Sequence, residues 1–437
     1  MMCSPASKLW LLPCSVLVVM LMTSTSWSES RAMDIEEKKK ILEALDGGGN
    51  SAVSHLSNVE KNILKATLAL EDGQPNQALT YLISEDNGAD PLVAMLEAEA
   101  HRQSAILAVD RAGDYARPMD AKKKQLEEAN LSGGLKEADA KLKAFLDSVK
   151  GQQRTPLDIL SVGSDIRSVF LVDKGRSRLF VYERDAQGDL KQVADEYVVT
   201  GAAEGDKRAE GDNRTPNGIY RFVDRLSGEK LESRYGPVAF PIDYPNALDA
   251  LHHKDGSGIW MHGYAENVDR RPSRDTKGCF ALPNSTLLAM AEHVQLGKSW
   301  VLIGRDFAFD VPDEKESLLQ SVSRTITQWE SDWSLLKTEA YLDHYHSHFR
   351  AGERDLKAWK AYKRRVNAGK EFVSLNFSNM TLMHDPSSWP EGEVVVAEFD
   401  QSYESNNYQD HSRKRLYLAR ASKVEPWKIL IEESVEP

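Results

Sequence analysis

The chain has 437 residues, enough for roughly two to four domains. Its 67 acidic and 55 basic residues give a net charge of −12, which argues against a general nucleic-acid binder. An apolar fraction of 41% is ordinary for a globular protein, with length for several cores.

The chain opens on a secretion pattern. Lys8 is the only charge before the apolar run "LWLLPCSVLVVMLM" (9–22), and small residues follow in "TSTSWSES". The run is short for a bilayer span and fits the h-region of a signal peptide over 1–28, with Ser26-Trp27-Ser28 as the cleavage site. An uncleaved anchor is the alternative. Either way the pattern places the protein in the periplasm or cell envelope. If Cys3 and Cys14 leave with the signal, Cys279 is alone in an oxidising compartment, without an intramolecular disulfide partner. An odd cysteine there is a reactive thiol or an intermolecular one.

Residues 33–150 read as a helical domain. "MDIEEKKKILEAL" has a helical apolar rhythm that "DGGGN" breaks. "SHLSNVEKNILKATLALEDGQPNQALTYLISE" reads as helix, turn at "DGQPN" and helix, and Pro91 opens a further strong helix. "MDAKKKQLEEA" and "GGLKEADAKLKAFLDSVK" continue the pattern. The hairpins resemble tetratricopeptide arrays, although no 34-residue consensus repeats cleanly.

The texture changes at "GQQRTPLD" (151–158), and 163–305 reads as one β-dominated domain. "SVFLVD" and "RLFVYE" joined by "KGRS" predict a hairpin. "LKQVADEYVVTG", "GIYRFVDRL", "AFPIDYP", "GIWMHGY" and "SWVLIGRDF" supply further strands. It changes again near "DVPDEKES". Over 313–435 a long amphipathic helical stretch, "SLLQSVSRTITQWESDWSLLKTEAYLDHYHSHF", precedes a helical "WKAYKRRVNAGK" and four long strand-like runs. Helices followed by antiparallel strands mean α+β, so the chain as a whole is an α+β multidomain protein. Trp329, Trp333, Tyr341 and Trp359 read as core rather than as a ligand box.

The chemistry concentrates in "IWMHGYAENVDRRPSRDTKGCFALPN" (259–284). An apolar strand ends at His262-Gly263, and Thr276-Lys277-Gly278-Cys279 follows an irregular charged segment. A thiolate is the nucleophilic form of cysteine, and a histidine within reach takes its proton or stabilises the anion. Gly278 permits a sharp turn whose N–H groups can face a developing oxyanion. Upstream, "TGAAEGDKRAEGDNRTPNGIYRF" (200–222) is a Gly-rich segment with a Thr-Pro-x-Gly-x-Tyr turn into a strand.

These two pieces, in this order and spacing, resemble the L,D-transpeptidase (YkuD-type) catalytic domain over roughly 165–305. The C-terminal segment resembles the nuclear-transport-factor-2-like cone fold, in which helices pack against a curved sheet, commonly with a pocket at its mouth. The resemblance implies that Cys279 attacks a peptide carbonyl in a peptidoglycan tetrapeptide stem. His262 is then the base, oriented by the Gly263 carbonyl, and the N–H groups of Gly278 and Cys279 form the oxyanion hole. It implies substrate-side roles for Thr276, Tyr264, Lys277 and Arg274, with Tyr264 lining the cleft. Many relatives carry Arg two residues after the cysteine, where this chain has Ala281, so the grip on the donor peptide differs. Lys277, Arg270, Arg271 and Arg274 either hold a substrate carboxylate or form a solvated loop face.

An amine acceptor makes the enzyme an L,D-transpeptidase, and water makes it an L,D-carboxypeptidase. The domain order resembles that of cell-shape carboxypeptidases of curved bacteria. A reading of another class is a non-catalytic cell-wall scaffold that recruits protein partners through the helical and C-terminal domains. No cofactor and no metal is expected. His252-His253 lack a companion zinc spacing. In "DHYHSHF", near an expected helix end, only His344 and His348 would share a helical face.

Overall fold

The computed structural model describes residues 42, 43, 45, 46, 58–83, 91–112, 156–185, 187–266, 268, 271, 273–309 and 311–435. The signal segment, the helical segments expected over 113–150, and Arg270 lie outside the described residues. Among those described, no helix is long and apolar enough to cross a membrane.

Three helices come first: α1 (Asn58–Glu71), α2 (Pro75–Leu82) and α3 (Pro91–Ala112). Ile63, Ala66 and Leu70 recur at helical spacing and pack with Ala78, Leu82, Leu92 and Leu96. Gly73, with φ +66°, reverses the chain in "DGQPN", and Pro75 occupies the first turn of α2. Each proline opens its helix because its missing N–H has no intrahelical partner there.

β1 (Ile159–Ser161) leads into the β-rich region, β2 (Ser168–Asp173), β3 (Arg178–Arg184) and β4 (Leu190–Tyr197). β5 (Thr200–Gly201), β6 (Gly218–Arg221), β7 (Leu226–Ser227) and β8 (Val238–Pro241) follow. Then come helix α4 (Ala247–Leu251), β9 (Trp260–His262), β10 (Arg274–Thr276), β11 (Phe280–Ala281), helix α5 (Asn284–Ala291) and β12 (Trp300–Gly304). One sheet has the order β4-β3-β2-β12-β6, a second β11-β9-β8-β7, and β10 pairs with β5. Phe170, Val181 and Val301 of the first sheet meet Phe240, Met261 and Phe280 of the second in one core.

The C-terminal region holds α6 (Pro312–Ser334), α7 (Thr338–Asp343), β13 (Tyr345–Ala351), β14 (Arg354–Asp355) and α8 (Leu356–Asn367). Four long strands complete it: β15 (Val373–His384), β16 (Glu393–Ser405), β17 (Tyr408–Arg420) and β18 (Lys428–Val435). The sheet runs β1-β15-β16-β17-β18-β13-β14, so the residues just before the catalytic sheet form an edge strand of the C-terminal one. Leu318, Val322, Ile326, Trp329 and Trp333 of α6 line one helical face and fill the sheet's concavity with Tyr341, Phe349, Trp359 and Phe399.

The helical stretch expected through Phe349 breaks earlier. Leu336 sits at φ +55°, Lys337 N–H donates to Asp332 O and Leu336 N–H to Trp333 O, a Schellman closure built without glycine. Residues 345–351 then form a strand, with Tyr345 and Phe349 facing inward. His346 and His348 therefore share a strand face, ring centroids 5.3 Å apart, while His344 caps α7 and pairs with Asp332 at 3.0 Å. Among the described residues no group of three or more His, Cys, Asp or Glu is arranged to hold a metal ion.

β2 and β12 are buried on both faces. Phe170, Val172, Val301 and Ile303 enter the catalytic core, whereas Val169, Leu171, Trp300 and Leu302 meet Met383, Val394, Val396, Tyr417 and Leu430 of the C-terminal sheet. This two-sided burial is why both strands read as continuous apolar runs. A buried ionic cluster crosses the same boundary. Glu398 accepts from Arg221 and Arg413, and from Arg415 Nε at 2.9 Å. Arg413 also reaches Asp165 at 2.6 Å.

Candidate active site

β9 and β11 run parallel, with Met261 opposite Phe280 and His262 opposite Ala281. Met261 and Phe280 point into the core, so Trp260, His262, Cys279 and Ala281 share the other face. Continuing the register puts Cys279 across from Trp260 and diagonal to His262. Diagonal neighbours lie roughly 7 Å apart at Cβ, a gap that a thiol and an imidazole can span together.

His262 is 4% exposed and its Nδ1 is bonded to Gly263 O at 2.6 Å. A carbonyl only accepts, so Nδ1 carries the proton and Nε2 is the basic nitrogen. Burial lowers the imidazole pKa to about 4, the Gly263 carbonyl opposes this, and the charges of Arg271 and Arg234 add to the lowering. Cys279 is partly buried, and its thiol donates to Gly258 O at 3.4 Å. Burial pushes the thiol pKa up, against the Trp260 N–H and the charges of Arg271 and Lys207. At neutral pH both groups rest uncharged.

The cysteine turn is held from within. Gly278 has φ +126°, and a Cβ there would stand 2.9 Å from Arg214 O. Thr276 is buried. Its hydroxyl donates to Cys279 O at 2.6 Å and accepts from Gly278 N–H at 3.2 Å. These contacts are with the turn itself. Thr215, from the "RTPNG" turn, also donates to Cys279 O at 3.3 Å and accepts from Gly201 N–H at 2.8 Å.

Gly263 lets Asn284 close in from α5. The Asn284 Oδ1 accepts the Tyr264 N–H at 2.8 Å, and a Cβ on Gly263 would lie within clashing distance of that oxygen. Tyr264, expected to line the cleft, is instead 3% exposed and packs with Tyr197, Val199 and Ala281. Alternation keeps Tyr264 on the His262 face, but there Tyr197 and Val199 cover it, together with Ala281. Lys277 is exposed. Arg274 pairs with Glu204, with Arg305 beside it, and shares a small pocket with Thr200 and Thr215. Arg271 binds Asp275 Oδ2 at 2.8 Å and stands 5.6 Å over the Tyr264 ring.

Tyr235, Trp260 and Asn284 were not singled out from the sequence. The Tyr235 ring meets His262 edge-on and Trp260 at a tilt, each at 5.0 Å, and its carbonyl accepts the Gly263 N–H. Asn284 closes the quoted motif and was legible as a neighbour of it. Tyr235 lies 27 residues upstream of His262 and carries no local signal.

In the C-terminal domain, Trp333, Tyr341 and Trp359 surround the buried ammonium of Lys363, at 4.3, 5.5 and 4.6 Å from the ring centres. Burial lowers its pKa to about 8. The aromatic box is filled by the chain's own lysine, and a cavity of about 790 Å³ opens beside it.

Residues 167–303 match the family model of the L,D-transpeptidase catalytic domain, and residues 321–433 that of the Cds6 C-terminal NTF2-like domain. Among solved structures, Bd1075 of Bdellovibrio bacteriovorus is 27% identical, with a TM-score of 0.57 over 65% of this chain and 99% of that one. The helical cell shape determining protein Pgp2 of Campylobacter jejuni is 28% identical, with a TM-score of 0.54 over 63% of this chain and 95% of that one. A point mutant of Pgp2, also 28% identical, aligns with a TM-score of 0.55 over 66% of this chain and 97% of that one. No curated protein matches the chain. The α+β chain therefore carries a YkuD-type L,D-transpeptidase catalytic domain followed by an NTF2-like domain of the Cds6 C-terminal family.

Proposed function

We propose that the protein is an exported cysteine L,D-transpeptidase acting on the tetrapeptide stems of peptidoglycan in the cell envelope. The observation that carries this reading is the placement of Cys279 and His262 on one face of adjacent parallel strands, with His262 Nδ1 tied to Gly263 O. Cys279 Sγ attacks the carbonyl carbon of the third stem residue, and its proton passes to His262 Nε2 as the S–C bond forms. Collapse of the tetrahedral intermediate breaks the C–N bond, and the imidazolium returns the proton to the departing D-alanine amine. The Cys279 N–H faces the oxyanion. The Gly278 N–H joins it, since its bond to Thr276 at 3.2 Å is at the long end of the range and can be shared. One such donor contributes about 3 kcal/mol to lowering the barrier.

The thioester then meets an amine of a second stem, giving a crosslink, or water, giving a trimmed tripeptide. The second outcome, L,D-carboxypeptidase, is favoured by the likeness to Pgp2, a helical cell shape determining protein, over 63% of this chain. The test is mass spectrometry of disaccharide-tetrapeptide muropeptides incubated with the protein and with Cys279→Ala. Dimers joined through third residues support transpeptidation, and tripeptide monomers support trimming. Absence of any Cys279-dependent product sinks both and leaves the scaffold reading.

A further inference from the structure

A concavity that the proposed chemistry does not use lies between the catalytic and C-terminal domains. A cleft of about 870 Å³ has one wall made by Leu251, His252 and His253, at the end of α4, and the other by β13, α8 and the β15–β16 loop. Arg350, Lys357 and Lys360 line it from the C-terminal side. None of the three has a carboxylate ion-pair partner among the described residues, in contrast to Arg364 on the same wall, which is clamped by Glu339 at 2.7 Å. Two acidic residues share the lining: Glu391, beside His252 at 3.1 Å and His348 at 3.5 Å, and Asp355, which caps α8 by accepting the Ala358 N–H at 2.8 Å. Against them stand Arg350, Lys357, Lys360 and Arg364, so on a chain of net charge −12 this is a concave surface with a cationic balance. Low-dielectric walls focus such a field and favour polyanions.

The cleft also has a place relative to the chemistry. His253 lines it, and Gly258, whose carbonyl receives the Cys279 thiol, is five residues further on. Five residues span at most about 18 Å, so a polymer engaged at Cys279 has neighbouring units within reach of the cleft.

We infer that this interdomain cleft is a second binding site, for a carboxylate-bearing stretch of the same polymer: a glycan strand with peptide stems, held by Arg350, Lys357 and Lys360 while an adjacent stem enters the catalytic site. The identity of the polymer rests on the function proposed above. The site makes the enzyme act preferentially on strands over isolated monomers.

The test uses the full chain with Cys279→Ala, so that binding is read without turnover, and fluorescence anisotropy with labelled soluble strands. Replacing all three cations (Arg350→Gln, Lys357→Gln, Lys360→Gln) is expected to weaken binding of stem-bearing strands by about tenfold, the combined effect of three exposed ion pairs. Lys357→Glu alone is expected to weaken it in the same direction, which guards against misfolding of the triple variant. Strands stripped of their stems are expected to bind poorly to the unsubstituted cleft. Unchanged affinity in the variants, equal affinity for stripped strands, or tighter binding of polyphosphate than of stem-bearing strands each overturns the inference. With Cys279 restored, the triple variant is expected to lose turnover on strands and keep it on monomeric muropeptide. Equal loss on both overturns the strand preference. Loss of the proposed catalytic function would appear instead as no turnover on either substrate by the unsubstituted protein, and the anisotropy result would still decide the cleft.

Discussion

Glu398→Ala tests whether the catalytic and C-terminal domains are joined by the buried ionic cluster. Glu398 is fully buried and accepts from Arg221, Arg413 and Arg415. Removing one partner of a buried pair costs about 3–5 kcal/mol, because the charges left behind stay desolvated. Two guanidiniums retain other carboxylates, Arg413 through Asp165 at 2.6 Å and Arg415 through Glu433 at 3.4 Å. Arg221 keeps Gly297 O and lies 4.3 Å over the Trp300 ring. The expected loss is therefore at the lower end, about 3 kcal/mol. Burial by itself would raise the Glu398 pKa, yet Arg415, Arg221 and Arg413 hold it below the ordinary 4.5. A carboxyl whose folded pKa is depressed contributes stability above its unfolded pKa and loses it as pH falls through the folded value. The difference between the parent protein and the alanine variant should thus be full at pH 7 and shrink below about pH 4. Urea unfolding followed by tryptophan fluorescence at both pH values measures it. A loss under about 1 kcal/mol at pH 7, or one that does not shrink in acid, would refute the reasoning.

Because burial holds His262 near pKa 4, the acid limb of kcat/KM on a muropeptide should fall near pH 4; a limb centred near the ordinary 6.5 would show that the imidazole is not held neutral by its site. Gly278→Ala adds a Cβ at 2.9 Å from Arg214 O on a residue at φ +126°, and should displace the thiol enough to slow turnover by about a hundredfold. Retained turnover with a folded variant would mean the turn has slack. Thr276→Val removes both hydroxyl bonds of the turn and should cost about 1–2 kcal/mol in denaturant unfolding, with Thr276→Ser restoring it. If serine does not rescue, the methyl packing and not the hydroxyl is what matters.

The His–Cys constellation was legible because its determinants are local: a strand ending in His262-Gly263, and a glycine before a lone cysteine. The "KGRS" hairpin was legible for the same reason, and β2 and β3 pair as the turn residues demand. Tyr264 was misplaced because strand alternation gives a face, while burial of that face depends on Tyr197 and Val199 arriving from elsewhere. The break after α6 was hidden because Leu336 occupies the left-handed position that glycine usually advertises. The ionic cluster was hidden for a related reason. Alternating basic residues such as Arg413 and Arg415 in β17 read as a solvated strand face, and only packing against the β4-β3-β2-β12-β6 sheet makes that face interior.

The same geometry explains why the catalytic sheet travels with an NTF2-like partner. Val169, Leu171, Trp300 and Leu302 form an apolar face on β2 and β12, and Met383, Val394, Val396, Tyr417 and Leu430 cover it. Large contiguous apolar patches are rarely left on a monomer's surface, so this face requires its cover. β16 serves both sides by alternation: Val394 and Val396 face the catalytic sheet, while Val395, Ala397 and Phe399 fill the cone. The cone's aromatic core and the catalytic sheet are thus two faces of one strand. A change in the cone that shifts β16 is transmitted directly to β12, and through the core shared by β12, β9 and β11 to the strands that carry His262 and Cys279. The C-terminal domain is in this sense part of the scaffold that positions the candidate site, whatever else its cavity holds.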